Sequence, residues 1–236
     1  MANNAKKQLF GKIFIKKVQI ILKSKTIYLI RHGETDHNRN GIVQGSGVDT
    51  VLNDWGKAQA EAFYDAYQHV PFDKIYTSKL QRTVQSVQEF IDSGVPWESH
   101  GGLNEISWGC REGRMPNDKD QGYYRDLVLA WQNGDVNIPC EEGESPTQVR
   151  ARQKPVLDLI LSRPQERTIL IAMHGRAMRI LLTLLSNEPL TAMDKYEHSN
   201  MCLYRVNYSY EEQNFTIASG NDITHLLSLD VPVSHS

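Results

Sequence analysis

Two short apolar runs constrain this chain more than anything else in it: TIYLI at 26–30 and TILIAM at 168–173. Neither alternates apolar with polar residues, so neither can rest with one face in water. A strand buried on both faces belongs to a parallel sheet covered by helices on either side. Residues 54–69 read as a helix that Asp54 can cap, with Ala58, Ala62, Phe63 and Ala66 as its apolar stripe. Residues 72–77 form another strand, followed by a helix capped at Ser78 and running to about Asp92. Residues 146–162 make a long helix with Val149, Val156, Leu157, Ile160 and Leu161 on its apolar face, and Pro155 within it predicts a kink or a late start. The run at 168–173 leads directly into an apolar helix from Arg176 to Leu185, and 202–207 and 215–218 read as closing strands. Strands alternating with helices predict an α/β fold, a three-layer α/β/α sandwich around a mostly parallel sheet.

Two stretches stand apart from that pattern. Residues 107–144 are rich in Gly, Asn, Asp and Pro around one short helical stretch, 123–131, and read as an insertion over the sheet. Residues 1–25 carry seven lysines and no acid, with Phe10, Ile13, Phe14, Val18, Ile21 and Leu22 at roughly helical spacing. Their apolar runs fall far short of the ~20 residues that span a bilayer, and they lack the unbroken apolar stretch and cleavage site of a signal peptide. The segment is expected to be a basic leader outside the fold. The competing reading is a weak contact of residues 8–25 with an anionic membrane surface. The fold itself is expected to occupy 26–236.

A net charge of −2 provides no global basic field, so nucleic acid is not implied as a partner. Cys110, Cys140 and Cys202 are too few and too scattered for a disulfide framework and form no CxxC pair. A reducing, cytoplasmic compartment is the default expectation.

Chemistry concentrates where the two apolar runs end, at Ile30-Arg31-His32-Gly33 and Met173-His174-Gly175. Ligands of open α/β sheets bind at the carboxyl ends of strands, where the topology switches direction. Glycine after each histidine, Gly33 and Gly175, is expected to let the backbone approach a ligand and free an N–H to donate. Arg31 adjoins His32, and Arg82 falls in the first turn of the helix beginning near Ser78, where it is either a solvated charge or a ligand. A guanidinium holds two phosphate oxygens at once, and a helix N-terminus adds its own preference for anions. Asn38 and Gln44, in the loop after the first strand, can donate further hydrogen bonds.

In these residues the chain resembles the histidine phosphatase superfamily, the phosphoglycerate mutases and related acid phosphatases. The opening Arg31-His32-Gly33-Glu34-Thr35 with Asn38 and Gln44-Gly45 carries the resemblance. It is joined in order by 49–52, Gly56 and Gln59-Ala60; by Ser78 through Arg82; by Leu103-Asn104-Glu105-Ile106 with Gly109 and Glu112-Gly113; by Gly143-Glu144-Ser145; and by His174-Gly175, over about residues 26–227. The resemblance implies that His32 attacks phosphorus in line to give a phosphohistidine that water hydrolyses. It implies that Arg31, Arg82 and His174 hold the equatorial oxygens. Glu105 would protonate the leaving oxygen and then activate water, which requires its carboxyl to carry a proton part of the time. No metal and no cofactor are expected, and the partner would be a small phosphorylated metabolite. The chain departs from the family in having Ile42 where an arginine often precedes Gln-Gly, and Thr83 where alanine more often follows the arginine.

Phosphatase and mutase share this core. A mutase must retain a doubly phosphorylated intermediate and keep water from the phosphohistidine, which calls for extra cations in a large closing insertion. Residues 107–144 hold four basic side chains against eight acidic ones, so a phosphatase of small phosphate monoesters is the expectation, with a cofactor-dependent mutase as the alternative. Tyr123, Tyr124 and Trp131 either wall an organic leaving group or pack the insertion on the sheet. A metal hydrolase using His32, His37, His174 and Asp36 and a catalytically silent phosphoprotein-binding module are the remaining alternatives.

Overall fold

The computed structural model describes residues 24–229. Six strands form one sheet: β1 (Ser24–Arg31), β2 (Lys74–Thr77), β3 (Trp97–Ser99), β4 (Thr168–Met173), β5 (Leu203–Ser209) and β6 (Asn214–Asp222), in the spatial order β3-β2-β4-β1-β5-β6. β1, β2, β3 and β4 run parallel to one another, while β5 pairs antiparallel with β1 and β6 antiparallel with β5. Seven α-helices accompany them among the described residues: α1 (Asp36–Arg39), α2 (Asp54–Tyr67), α3 (Gln81–Gln85), α4 (Gln88–Asp92), α5 (Asp118–Gln132), α6 (Pro146–Leu161) and α7 (Gly175–Leu185).

The apolar runs do what their composition requires. Along β1, Ile27 and Leu29 enter one core with α5, α6 and α7, while Tyr28 and Ile30 enter another with α2 and α4. β4 divides likewise, Ile169, Ile171 and Met173 to the first core and Leu170 and Ala172 to the second. Successive side chains of a strand point to opposite faces, so both faces of the sheet are covered and the fold is the expected three-layer sandwich. Each fully buried Ile or Leu contributes about 1.5–3 kcal/mol. Both core strands are therefore held far more tightly than the loops at their ends.

Several boundaries differ from the sequence expectation, each for a local reason. α2 is capped by Asn53, one residue before the expected Asp54, because the Asn53 side chain accepts the Gly56 N–H at 2.8 Å. The helix expected from Ser78 to Asp92 is two helices, broken where the Ser86 hydroxyl donates back to the Arg82 carbonyl at 2.6 Å. α5 starts five residues before the expected 123, on a capping box in which Asn117 Oδ1 accepts the Asp120 N–H and Asp120 Oδ2 accepts the Asn117 N–H. α6 continues through Pro155. β3, three residues long, was not expected. The basic leader lies outside the described residues except for Ser24 and Lys25, which belong to β1. No helix among the described residues is long and apolar enough to cross a membrane.

Candidate active site

After β1 the chain crosses to β2 on one side of the sheet, and after β4 it crosses to β5 on the other, so the two loops diverge between neighbouring strands. The His32 N–H donates to the Met173 carbonyl at 3.0 Å across this switch point. The rings of His32 and His174 stand 5.2 Å apart between centroids. The two histidines expected from the sequence are brought together.

His32 is 3% exposed. Its Nδ1 lies 2.7 Å from the Gly33 carbonyl, which can only accept, so Nδ1 carries the hydrogen and Nε2 carries the lone pair. Its pKa falls well below the usual histidine value, first through burial and then through the charges of Arg82 and Arg31. The ring is neutral and held in one tautomer.

The two arginines expected here are both present, and neither is a solvated charge. Arg82, fully buried, donates from Nε to His174 Nδ1 at 3.2 Å, from Nη1 to the Val48 carbonyl at 2.7 Å and from Nη2 to the Gly45 carbonyl at 3.2 Å. Burial lowers its pKa to about 10, so it stays charged at neutral pH. Arg31 donates from Nη1 to the His198 carbonyl at 2.8 Å, and its buried Nε has no partner among the described residues. His174 is engaged at both nitrogens, Nδ1 by Arg82 and Nε2 by Ser78 Oγ at 2.8 Å.

Glu105, 7% exposed, receives N–H bonds at both oxygens: Ile106 at 2.9 Å and Ala177 at 2.8 Å on Oε1, Arg176 at 3.0 Å on Oε2. It therefore closes the N-terminus of α7, two residues from His174. Arg152 of α6 braces its backbone, donating to the Glu105 carbonyl at 2.8 Å and pairing with Glu144 at 2.8 Å. Glu144 in turn accepts the Ser107 N–H at 2.9 Å. The Gly-Glu-Ser block at 143–145 thus holds the Glu105 segment from below.

Gly33 serves a different purpose from the one expected. A Cβ on Gly33 would stand 2.6 Å from the Gly56 carbonyl oxygen, so glycine is needed to seat α2 against the loop. The Gly33 N–H is donated to Ser86 Oγ at 2.9 Å instead of being left for a ligand. At Gly175 the tight neighbour is the His198 ring, 3.1–3.3 Å from a Cβ. Asn38 Oδ1 accepts the Thr35 N–H at 3.2 Å within a capping box. Gln44 donates to Thr35 Oγ1 at 2.7 Å and accepts from Thr50 Oγ1 at 2.5 Å. Both amides tie down the loop that carries His32.

Sequence reasoning missed Asn200, whose Nδ2 donates to the His32 carbonyl at 3.0 Å, and His198 beside Arg31. β5 runs antiparallel, so the loop preceding it lies at the carboxyl end of β1. The direction of β5 was the missing signal. Beside the site an apolar cavity of about 350 Å³ is lined by Val43, Gln44, Trp108, Pro116, Tyr123 and Tyr124. Of the two readings open for Trp131, it takes the packing one: it is fully buried and donates its indole N–H to the Ile138 carbonyl at 2.8 Å, while Trp108 lines the cavity.

A family model described as the histidine phosphatase superfamily, branch 1, matches residues 27–222. A Yersinia pestis relative named "Probable phosphoglycerate mutase GpmB" is 30% identical over 207 residues, covering 85% of this chain and 94% of its own length. The structure of the alpha-ribazole phosphatase of Shigella flexneri is similar with a TM-score of 0.73 at 25% identity, covering 84% of this chain and 96% of that one. A mycobacterial glucosyl-3-phosphoglycerate phosphatase shares the fold with a TM-score of 0.72 at 22% identity, covering 84% of this chain and 99% of that one.

Proposed function

The chain belongs to the histidine phosphatase superfamily, and from that premise we propose that it is a metal-independent phosphatase of small phosphate monoesters. One observation carries the reading: a buried neutral His32 with its Nε2 lone pair free, flanked by the buried Arg82 and half-buried Arg31 guanidinium groups, which end on carbonyls and ring nitrogens instead of carboxylates. A substrate dianion supplies the charge those arginines lack. His32 Nε2 attacks phosphorus in line, the P–O bond to the alcohol breaks, and the phosphoryl group passes to the ring. Arg31 and Arg82 offset the charge on the transferring oxygens, with His174 beside them. Glu105 gives a proton to the departing oxygen and takes one from the water that later attacks the phosphohistidine. The apolar cavity beside Gln44 and Trp108 suits an organic alcohol or phenol as the leaving group.

The name of the Yersinia relative favours a mutase as the second reading. Against it, the arginines of the insertion are already paired: Arg111 with Glu141 at 3.0 Å, Arg114 with Asp120 at 2.9 Å and Arg125 with Asp126 at 3.7 Å. The test assays the full chain with p-nitrophenyl phosphate and with a panel of phosphorylated metabolites in the presence of EDTA. Release of inorganic phosphate that survives the chelator and is blocked by vanadate is the expected result. Activity lost to EDTA and restored by zinc or manganese overturns it in favour of a metal hydrolase. Interconversion of phosphoglycerates without phosphate release overturns it in favour of the mutase.

A further inference from the structure

The cavity beside the site is joined to the proposed chemistry at two points. Gln44, on its wall, donates to Thr35 Oγ1 at 2.7 Å, in the loop that carries His32. Tyr124, also on its wall, accepts from Arg176 Nη2 at 2.8 Å, and the backbone N–H of Arg176 is bound to Glu105 Oε2 at 3.0 Å. A group seated there lies between the loop of the nucleophile and the residue that holds the acid, where the alcohol half of an ester belongs.

The charged side chains lining the cavity, Arg111 and Asp120, are already matched. Arg111 pairs with Glu141 at 3.0 Å, faces Asp120 at 3.6 Å, and sets its guanidinium carbon 3.6 Å from the centroid of the Tyr123 ring. Asp120 receives two bonds from the Arg114 fork, each 2.9 Å. Two cations balance two anions, so among the described residues this wall has no charge to spare for a ligand. A carboxylate or a second phosphate entering the cavity would give up water and gain no cation. The polar ends of the rings are spent as well: the Tyr123 hydroxyl accepts the Glu141 N–H at 2.9 Å, and that of Tyr124 is held by Arg176. Ring and aliphatic surface remains. Trp108 and Tyr124 stand 5.4 Å apart between centroids, and Trp108 rests on Trp131 at 6.1 Å. Rings fixed in this way lose little freedom when a ligand packs against them. The volume of about 350 Å³ falls at the lower end of pockets for drug-sized ligands, ample for a bicyclic ring system.

We propose that the preferred substrates are aromatic phosphate monoesters whose organic half carries no charge, and that Trp108 and Tyr124 are the rings that select them. The inference rests on the phosphatase reading for turnover, while the selection itself is one of binding.

The test compares phenyl, 2-naphthyl and p-(carboxyethyl)phenyl phosphate on the full-length protein. Their leaving groups are phenols of similar acidity, so differences report on the cavity and not on proton delivery. From phenyl to naphthyl, kcat/KM should rise roughly 10-fold, and from phenyl to the carboxyethyl ester it should fall roughly 10-fold. The corresponding arylmethylphosphonates, which cannot turn over, should follow the same order in Kd. Tyr124→Ala should erase most of the naphthyl preference. Tyr124→Phe should keep it, because the ring stays and only the bond to Arg176 is lost. Glu141, 62% exposed at its side chain, can be changed without disturbing a core. Glu141→Gln leaves Arg111 unmatched and should shrink the penalty on the carboxyethyl ester about 3- to 10-fold, a gain that damage to the fold would not produce. Equal kcat/KM and equal Kd across the three groups, or a preference for the carboxylate, overturns the proposal. A naphthyl preference untouched in Tyr124→Ala overturns it too. Phosphonates that bind in the expected order while no ester releases phosphate would leave the cavity assignment standing and remove the phosphatase reading. Esters that all turn over alike would do the reverse.

Discussion

Around the loop entering β4, residues 162–167, buried and half-buried charges meet their opposites directly. Glu98 stands between Lys74 at 2.7 Å and Arg163 at 2.9 Å, and these partners hold its pKa down to about 2, the Lys74 bond contributing most. Tyr76 donates to Glu166 and accepts from Arg163 at 3.1 Å. At the carboxyl end of the same strands the pattern is reversed. Arg82 is fully buried and Arg31 half-buried, yet the groups they touch are carbonyls and neutral imidazoles. An internally neutralised network needs nothing further and serves stability. Guanidinium groups buried without a contacting carboxylate are costly to fold and favourable to an arriving anion. The contrast, more than the presence of arginines at either place, distinguishes the candidate site.

The largest expected effect that tests this contrast is at His32. His32→Ala should lose turnover on the order of 10⁴-fold or more while keeping its melting temperature, since the nucleophile is gone and the strand core is untouched. Rapid quench of the unmodified enzyme should trap acid-labile, base-stable phosphate on His32. Label on another residue would move the nucleophile elsewhere.

Next is Glu105→Gln. If Glu105 supplies the proton, an alkyl phosphate, which leaves as a strongly basic alkoxide, should slow by roughly 100- to 10,000-fold. A nitrophenyl ester should form the phosphohistidine almost as before and then show a burst followed by slow release, because the same carboxylate helps activate water. Equal slowing of phosphorylation with both esters would reduce Glu105 to the helix-closing role its backbone contacts describe. Glu34 would be a poor substitute, since its Oε1 is already bound by Arg39 and Asn53. Asp36 would be the next candidate.

The third effect is on stability against pH. Burial lowers the pKa of His32 and His174 well below the ordinary value, and that of His198 to about 3. A lowered folded-state pKa means that the unfolded chain takes up protons the folded chain refuses. The stabilisation is thus complete above the unfolded value near 6.5 and is lost as pH falls below it. Each of the three histidines should cost about 1.4 kcal/mol per pH unit once the unfolded form is protonated. Thermal unfolding from pH 7.5 to 5 should steepen accordingly, and His32→Ala should remove about one proton from the slope. A melting temperature flat across this range would contradict the burial of these rings.

The smallest effect belongs to the neutralised network. Arg163→Met removes the contacts to Glu98 and Tyr76 and should cost about 1–2 kcal/mol after solvent screening, with kcat/KM unchanged. A loss of activity without a loss of stability would erase the distinction between the two regions.

Much of this site is legible in the amino-acid sequence. His32, His174, Arg31, Arg82 and Glu105 all follow from strand ends, a helix first turn and the ordered blocks around them, and all five lie at or next to the carboxyl end of β1 and β4. The reading went astray where a residue's use depends on what packs against it. Gly33 looked like an opening for a ligand and is an opening for Gly56. Trp131 could be a cavity wall or part of the packing and is the latter, while Trp108, which carried no signal, lines the cavity. Asn200 was invisible without knowing which way β5 runs.

By itself the sequence determined the layers of this molecule and the chemistry available at one edge, because apolar runs of five or six residues leave a strand no alternative to burial on both faces. Tertiary structure alone decided the protonation and direction of that chemistry. His32 presents Nε2 because Nδ1 is held by the Gly33 carbonyl, and Arg82 is oriented by carbonyls of 45 and 48 and by a histidine 92 residues away in the chain. Hydrogen bonds act over about 3 Å and fix which atom carries the proton, whereas the pattern of residue types along the chain fixes only which groups arrive.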